Sequence, residues 1–382
     1  MFEFARKQPP LLGIDIGSAA VKLLELGPAA GRRAEQGLAS LRVEALALAP
    51  LPPGAVVEKK IADVAQVGEA IASALRRSRS KTKRAAVAVA GSAVMTKILS
   101  LDADLSDAEM EMQIQLESDQ YVPYPLDEVN LDFDVIGPTQ GAVGRVDVLL
   151  AASRRENIDD RVAALEHAGL SAAIIDIESN AVETACRALL APLGPGLGLN
   201  AESGTARLTA VADIGATLTT LHVLHADQLI YTREQSVGGQ QLMDEVRWHE
   251  DLMRGPRGAQ AGEFAGDQAG DQALARLAAA STERQTEILA PFQDTLARQL
   301  GRALQFFYST SAFNRVDELL LTGGVTQVAA LERLIAERLA LPTRIVDPLA
   351  EMILSADLDL ALVRNSRRAM LIALGLAMRR FR

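Results

Sequence analysis

Short apolar runs of Val, Ile, Leu and Ala alternate along the chain with stretches whose apolar residues recur at helical spacing. Such runs, bounded by Gly, Pro or charged residues, predict buried strands. Strands are predicted over residues 11–16, 21–26, 38–48, 84–90, 96–101, 129–136, 145–152, 172–177, 206–214, 218–224, 228–236 and 318–321. Helices are predicted over residues 64–77, 106–120, 156–168, 289–310 and 327–339, with a closing helix from Arg367. Strands that alternate with helices in both parts of the chain predict two α/β domains with a cleft between them.

The stretch from residue 94 to residue 152 is predicted to form a module of its own. Its helix has Ser106 at the N-cap and Glu109 three residues later, which is the pattern of a capping box. The sequence Val-Pro-Tyr-Pro-Leu at 122–126 predicts a rigid extended corner, because each proline excludes its predecessor from helical conformation.

Three glycine-containing segments follow predicted strands. They read Leu-Gly-Ile-Asp-Ile-Gly-Ser at 12–18, Val-Ala-Asp-Ile-Gly-Ala-Thr at 211–217 and Leu-Leu-Leu-Thr-Gly-Gly at 319–324. An Asp-x-Gly turn leaves backbone N–H groups free for phosphate and places a carboxylate near a hydrated magnesium ion. The first two segments therefore predict two hairpins that hold the phosphates of a nucleotide from opposite sides. The Gly-Gly pair predicts a surface for its adenosine.

Composition narrows the class of protein. A length of 382 residues indicates two or more domains, and a net charge of −10 argues against a general nucleic-acid binder. The single cysteine, Cys186, excludes an internal disulfide framework and is interpreted as a packing residue. We expect no secretory signal and no transmembrane helix.

The apolar run at 369–378 is flanked by arginines and has two interpretations: a buried last helix, or a helix on a membrane surface. The first is favoured because the run is apolar on every face.

Two halves that each carry an Asp-x-Gly hairpin, with a later Gly-Gly turn, resemble the superfold of actin, Hsp70 and the sugar kinases. Further segments resemble the PilM family of type IV pilus assembly proteins in particular. They are residues 12–18 continuing to Val-Lys-Leu-Leu-Glu-Leu at 21–26, Tyr-Val-Pro-Tyr-Pro-Leu-Asp-Glu-Val at 121–129 followed by Leu-Asp-Phe, and Arg-Ala-Leu-Gln-Phe-Phe at 302–307. The resemblance covers nearly the whole chain except 255–272. It implies an α/β fold of duplicated actin-like domains, with a nucleotide cleft between them and a small inserted subdomain of the kind shared with FtsA.

The same resemblance divides the chain into four parts. The first core subdomain comprises 1–91, with 170–205 and the C-terminal helix 366–382. The small inserted subdomain comprises 92–169. The second core subdomain comprises 206–236 and 316–365, and an outer subdomain, 237–315, carries a mobile insertion at 255–272 that is poor in large apolar residues. The Gly-rich stretch 194–204 is expected to connect the two halves.

The resemblance also implies roles for particular residues in binding ATP and Mg²⁺. Asp15 and Asp213 are expected to hold the metal through water. Ser18 and Lys22 are expected to contact the β- and γ-phosphates; the alternative for Lys22 is that its side chain points to solvent. The remaining binding positions supply turn geometry, backbone donors or a surface for adenosine: Gly17, Gly215, Thr217, Gly238, Gly239, Gly323 and Gly324. Glu178 is either the catalytic residue that orients water or a first-turn helix acid that complements the helix dipole.

The chain departs from the family pattern on the nucleotide side. Met243 stands where a threonine is usual, and the Ala-Glu-x-x-Lys stretch that flanks ribose and base has no equivalent between Trp248 and Gly262. We therefore expect intact phosphate contacts together with weak ATP binding or, at most, slow hydrolysis.

By resemblance, the protein is a cytoplasmic ATP-binding scaffold of the pilus inner-membrane assembly complex, with a part in twitching motility. It is expected to bind the N-terminal cytoplasmic tail of PilN, an Asn- and Leu-containing peptide, near residues 116–125. It would thereby connect other pilus assembly and motor components, reaching the inner membrane only through partners. The alternative is a small-molecule, sugar-type kinase of the same superfold, for which Asp132 or Asp134 would be the catalytic acid. An FtsA-like role is less well supported. FtsA carries a linker before its C-terminal membrane helix, whereas the last helix of this chain follows without such a linker.

Overall fold

The computed structural model describes residues 9–29, 37–117, 120, 122–190, 206–226, 228–254, 282–328 and 330–381. Tyr121 of the predicted corner, the connection 194–204 and the predicted insertion 255–272 lie outside the described residues.

The strands are β1 (Leu12–Ile16), β2 (Ala20–Pro28), β3 (Leu41–Pro50), β4 (Val56–Val57), β5 (Lys60–Ile61), β6 (Arg84–Val89), β7 (Val94–Asp102), β8 (Val129–Pro138), β9 (Arg145–Arg154), β10 (Ser171–Ile177), β11 (Leu208–Ile214), β12 (Thr219–His225), β13 (Gln228–Gln235), β14 (Glu318–Thr322), β15 (Thr343–Ile345) and β16 (Ile353–Leu354). The helices are α1 (Val64–Ser78), α2 (Asp107–Glu117), α3 (Arg155–His167), α4 (Glu178–Leu190), α5 (Gly239–Arg254), α6 (Thr282–Thr310), α7 (Leu331–Leu339), α8 (Leu360–Ser366) and α9 (Leu371–Met378). None of the described helices is long and apolar enough to cross a lipid bilayer.

The two large sheets repeat one topology. The first runs β10-β6-β1-β2-β3, with β16 added at its edge, and the second runs β15-β14-β11-β12-β13. In each sheet an antiparallel three-strand meander begins with the strand that carries the Asp-x-Gly segment, and parallel strands lie on the other side of that strand. The duplication inferred from two similar hairpins therefore extends to whole sheets.

Between these sheets lie α4 and α9, which share one apolar core with β2, β11 and β14. Helix α9 packs closely on β1 at Gly13, where an added Cβ would lie 2.2 Å from the carbonyl oxygen of Ala373 in α9. Six of the eight α9 residues are buried. Two of the arginines that flank α9 form ion pairs within the protein: Arg367 with Asp347 at 2.9 Å and Arg379 with Asp176 at 3.2 Å. The last helix is thus a core element of the first half, as favoured from its apolar faces.

The small module forms a separate antiparallel sheet of order β7-β9-β8. Met110 and Ile114 of α2 pack on one face of this sheet against Leu99, Leu101 and Leu150. At the start of α2, Glu109 accepts hydrogen bonds from both the backbone N–H (2.8 Å) and the hydroxyl (2.7 Å) of Ser106, so the acid half of the predicted capping box is formed.

Several predicted element boundaries are wrong. The strand predicted from residue 38 begins at Leu41, because Leu38–Ser40 forms a 3-10 turn. The helix predicted from residue 327 begins at Leu331, after a 3-10 turn at Gly324–Gln327. A similar 3-10 turn at Arg367–Ala369 delays the closing helix to Leu371. The prediction also missed β4, β5, β15, β16 and α8, which at two to seven residues are too short for a periodic signal.

Candidate functional site

The two Asp-x-Gly segments form tight hairpin turns whose tips touch. The amide of Gly17 donates to the carbonyl of Ala20 at 3.1 Å, and the amide of Gly215 donates to that of Leu218 at 2.9 Å. The hydroxyl of Thr217 donates to that of Ser18 at 2.9 Å. Two segments that lie about two hundred residues apart in the chain therefore meet across the boundary between the halves.

Asp15 and Lys22 face each other across the first hairpin. They are register partners on β1 and β2, and Lys22 Nζ lies 2.7 Å from Asp15 Oδ2. Asp15 is buried. Burial alone would lower the pKa of Lys22, but the negative charges of Asp15, Asp213 and Glu178 raise it above its ordinary value. Lys22 therefore points into the cleft rather than to solvent, and it stays charged.

Asp213 is the corresponding carboxylate of the second hairpin. Burial is the largest cause that raises its pKa from 3.8 to about 6, and Asp15 and Glu178 add to the shift while Lys22 and Lys59 oppose it. No hydrogen bond to its carboxylate is formed by the residues that the structure describes. Burial and the charges of Asp15 and Glu178 disfavour the ionised Asp213 carboxylate, and an additional cation nearby would stabilise it.

Lys59 is a cleft residue that the sequence analysis missed. It lies in the two-residue turn between β4 and β5, and its Nζ is 2.6 Å from Glu178 Oε2 and 3.0 Å from Glu234 Oε1. Although burial disfavours the charged form, Glu178 and Glu234 raise the pKa of Lys59 above its ordinary value. No motif marks this position, because Glu58-Lys59 lacks the Asn-Gly or Asp-Gly signature of a two-residue hairpin turn.

Glu178, the predicted catalytic residue, is the first residue of α4 and belongs to the same cluster as Asp15 and Asp213. Its carboxylate is held by Lys59 and is mostly buried. The geometry thus places Glu178 within the charged cluster.

Three of the predicted glycines lie against the second hairpin rather than in open space. Gly323 has a φ of 103°, and a Cβ there would lie 2.2 Å from the carbonyl oxygen of Ile214. A Cβ on Gly238 would lie 2.5 Å from the carbonyl oxygen of Ala216. The amide of Gly239 donates to Gly215 at 2.9 Å, and that of Gly323 to Arg368 at 2.7 Å. The Gly239 amide therefore supports the second hairpin, and the Gly323 amide is bound by the 3-10 turn at Arg367–Ala369. Gly324 has no heavy atom within 4 Å of an added Cβ and faces open space.

The cluster has an excess of negative charge. Four carboxylates, those of Asp15, Asp213, Glu178 and Glu234, surround the ammonium groups of Lys22 and Lys59, and the guanidinium of Arg161 adds one positive charge near Glu178. Over the described ranges, no three His, Cys, Asp or Glu side chains are arranged to ligate a metal directly. A divalent cation at this cluster would therefore fit its charge but would be bound largely through water.

Comparison with known proteins decides the family. The model of the family "Type IV pilus assembly protein PilM" matches residues 13–381. The chain belongs to the PilM family. It is similar to a solved PilM-PilN type IV pilus biogenesis complex at 25% identity with a TM-score of 0.71, and the match covers 98% of this chain and 99% of the other.

A second solved structure supports the fold alone. Ethanolamine utilization protein EutJ from Carboxydothermus hydrogenoformans is 14% identical with a TM-score of 0.52, and the match covers 97% of this chain and 89% of the other. The resemblance to the PilM family and the duplicated actin-like fold are thus confirmed, and the chain is a type IV pilus assembly protein. The predicted subdomain boundaries and the roles of the site residues stay predictions.

Proposed function

We propose that this PilM-family chain is a cytoplasmic ATP-binding scaffold that binds the N-terminal cytoplasmic tail of PilN and links it to the pilus motor. The observation that carries the scaffold role is the similarity, over nearly its whole length, to a PilM-PilN complex. The nucleotide role is supported by the two hairpin turns that meet at Ser18 and Thr217 above a cluster of buried charges. Association with the inner membrane would then be indirect, through PilN.

In this proposal ATP and Mg²⁺ occupy the cleft between the hairpins. Asp15 and Asp213 hold the ion through water, and Lys22 and the hydroxyls of Ser18 and Thr217 contact the phosphates. Bound Mg²⁺ would neutralise phosphate charge. Glu178 is engaged by Lys59 at 2.6 Å, so a water-orienting role requires release of this ion pair. That requirement is consistent with hydrolysis that is slow at most.

The outer side of α2 offers a surface suited to binding the PilN tail. Met112 and Leu116 lie one turn apart on α2, opposite the residues Met110 and Ile114 that pack on the sheet. Both outer side chains are largely exposed, and Leu116 reaches 78%. Exposed Tyr124 lies nearby in sequence with its ring beneath the Arg154 guanidinium at 4.4 Å. An exposed apolar pair suits the leucine side chains of a tail peptide, and Tyr124 offers an exposed aromatic ring in the same small module.

The nucleotide role is tested by calorimetric titration of the protein with ATP and Mg²⁺, with Asp15→Asn as the test variant. We expect binding that Asp15→Asn weakens at least about tenfold (~1.4 kcal/mol). Asp134→Asn is the matched control, because Asp134 is an exposed acid on β8 of the small module. Absence of ATP binding by the unmodified chain would contradict the nucleotide role and leave a static adaptor.

The scaffold role is tested separately with a synthetic PilN tail peptide. Leu116→Glu is expected to weaken peptide binding at least about tenfold, because it places a charge within the apolar contact. Ile98→Glu is the matched control, since Ile98 is an exposed apolar residue on the opposite face of the same sheet. Equal peptide binding by both variants would contradict a peptide site on α2.

The alternative of a sugar-type kinase lacks a specific observation in its favour. Asp132 accepts a hydrogen bond from the neighbouring Phe133 amide at 2.9 Å, and both Asp132 and Asp134 are exposed on β8. Neither contributes to the charges that shift the pKa of Asp213. Turnover of any sugar in a coupled assay with ATP would restore this alternative.

A further inference from the structure

Lys59 is presented to the cleft by an unusual turn. Glu58 and Lys59 both have positive φ, at 47° and 63°, in the left-handed region that residues other than Gly, Asn and Asp seldom adopt. The turn is fixed from beneath by the buried guanidinium of Arg161. Arg161 donates to the carbonyl oxygens of Lys59 at 3.2 Å, Ala88 at 2.6 Å and Asn157 at 2.7 Å. The backbone of Lys59 is therefore tied to the first half of the molecule.

The side chain of Lys59 crosses to the second half. Its ammonium group pairs with Glu178 of the first half at 2.6 Å, with Glu234 on β13 of the second half at 3.0 Å, and lies 3.4 Å from the hydroxyl of Thr220 on β12. Thr220 and Glu234 are register partners, so they present one surface to Lys59. Glu234 also accepts a hydrogen bond at 3.3 Å from the hydroxyl of Ser92, in the 3-10 turn between β6 and β7.

We propose that the Lys59–Glu234 ion pair is a clasp that keeps the cleft closed when no nucleotide is bound. Because Arg161 holds the turn, Lys59 cannot follow the second half when the halves separate, and the contact to Glu234 must break. The pair with Glu178 lies within the first half and persists. Admission of a nucleoside triphosphate between the hairpins then requires rupture of the clasp. The part of this inference that concerns nucleotide rests on the proposed function, whereas closure of the ligand-free cleft does not.

The test is a thiol-labelling experiment on the ligand-free full chain. Thr220 is 7% exposed, so a thiol introduced by Thr220→Cys reacts with a maleimide only when the cleft opens. The single native cysteine, Cys186, is 2% exposed in the apolar core and reacts only when that core unfolds. Labelling of the two positions, separated by mass spectrometry, distinguishes cleft opening from global unfolding.

In the Thr220→Cys background, Glu234→Gln is expected to accelerate labelling at position 220 about fivefold, as for loss of one partly buried ion pair, and to leave Cys186 unchanged. Glu44→Gln is the matched control, because Glu44 is a similarly exposed glutamate paired with Arg42 inside one half. Lys59→Gln should accelerate labelling similarly, and adding Glu234→Gln to it should have no further effect. Unchanged labelling at position 220, or equal acceleration at both cysteines, would overturn the clasp.

A kinetic measurement with nucleotide separates this inference from the proposed function. If the unmodified chain binds ATP, Glu234→Gln should raise the association rate constant by about the same fivefold factor. An association rate that does not change while labelling accelerates would refute the coupling to nucleotide entry. If the unmodified chain does not bind ATP, the nucleotide role fails, and labelling alone still decides whether the clasp exists.

Discussion

Replacement of Asp213 by asparagine is expected to stabilise the ligand-free protein at neutral pH. The pKa of Asp213 is raised from 3.8 to about 6, which means that the folded state disfavours the ionised carboxylate. A difference of about two pKa units corresponds to about 3 kcal/mol at a pH well above 6. Since Asp213 is partly exposed, water reduces this value, and we expect a gain of about 1 to 3 kcal/mol in the free energy of unfolding.

The pH dependence of the stability gain in Asp213→Asn provides a separate check on its sign. Between about pH 4 and pH 6 the folded state binds more protons at Asp213 than the unfolded state does, so the contribution of this group to stability falls as the pH rises. Asparagine has no such dependence. The advantage of Asp213→Asn should therefore be largest above pH 6, shrink by about half near pH 5, and approach zero below pH 4.

The assay is urea denaturation followed by far-UV circular dichroism at several pH values, in the absence of nucleotide. Asp134→Asn, an exposed acid on β8, serves as the control and should change the free energy of unfolding by no more than about 0.5 kcal/mol at every pH. A destabilised Asp213→Asn variant, or a gain that does not vary with pH, would refute the inference that the ionised carboxylate is held at a cost.

Three further predictions concern packing, charge and capping. Lys22→Met should destabilise the protein by about 3 kcal/mol in urea denaturation, because it leaves the buried Asp15 without its partner at 2.7 Å; a neutral result would show that this pair is dispensable. Gly13→Ala should lower the yield of soluble protein or cost several kcal/mol, because its Cβ would meet α9 at 2.2 Å, whereas Gly91→Ala, with nothing within 4 Å of its Cβ, should be neutral. Asp63→Ala should cost about 1 kcal/mol, because Asp63 caps α1 by accepting from the Gln66 amide at 2.9 Å, and Asp63→Asn should retain most of that stability.

The stretches that were predicted well are those with strong local signals. The Asp-x-Gly segments have their own turn chemistry, and the strands that carry them are long enough to be recognised as apolar runs. Two similar segments also indicated the duplication, which the matching order and direction of the two sheets then extended to whole halves. The apolar character of α9 on every face similarly indicated a helix buried on all sides.

Local sequence did not predict contacts between residues that are distant in the chain. Lys59 lies in a turn without a recognisable turn signature, and its partners Glu178 and Glu234 follow 119 and 175 residues later. The elevated pKa of Asp213 likewise depends on burial and on charges from the other half. The exposure of Met112 and Leu116 depends on which face of α2 packs on the sheet, and apolar residues on both faces left that undecided.

The sequence by itself therefore determined the duplicated α/β architecture, the two Asp-x-Gly hairpins and the resemblance to the PilM family. These features reside in short segments where backbone propensity and glycine positions are read directly. The tertiary structure alone decided which charges share the cleft, which lysine joins the two halves and which apolar side chains stay exposed. Electrostatic and packing energies depend on distances and burial, and a chain acquires both only when its distant segments meet.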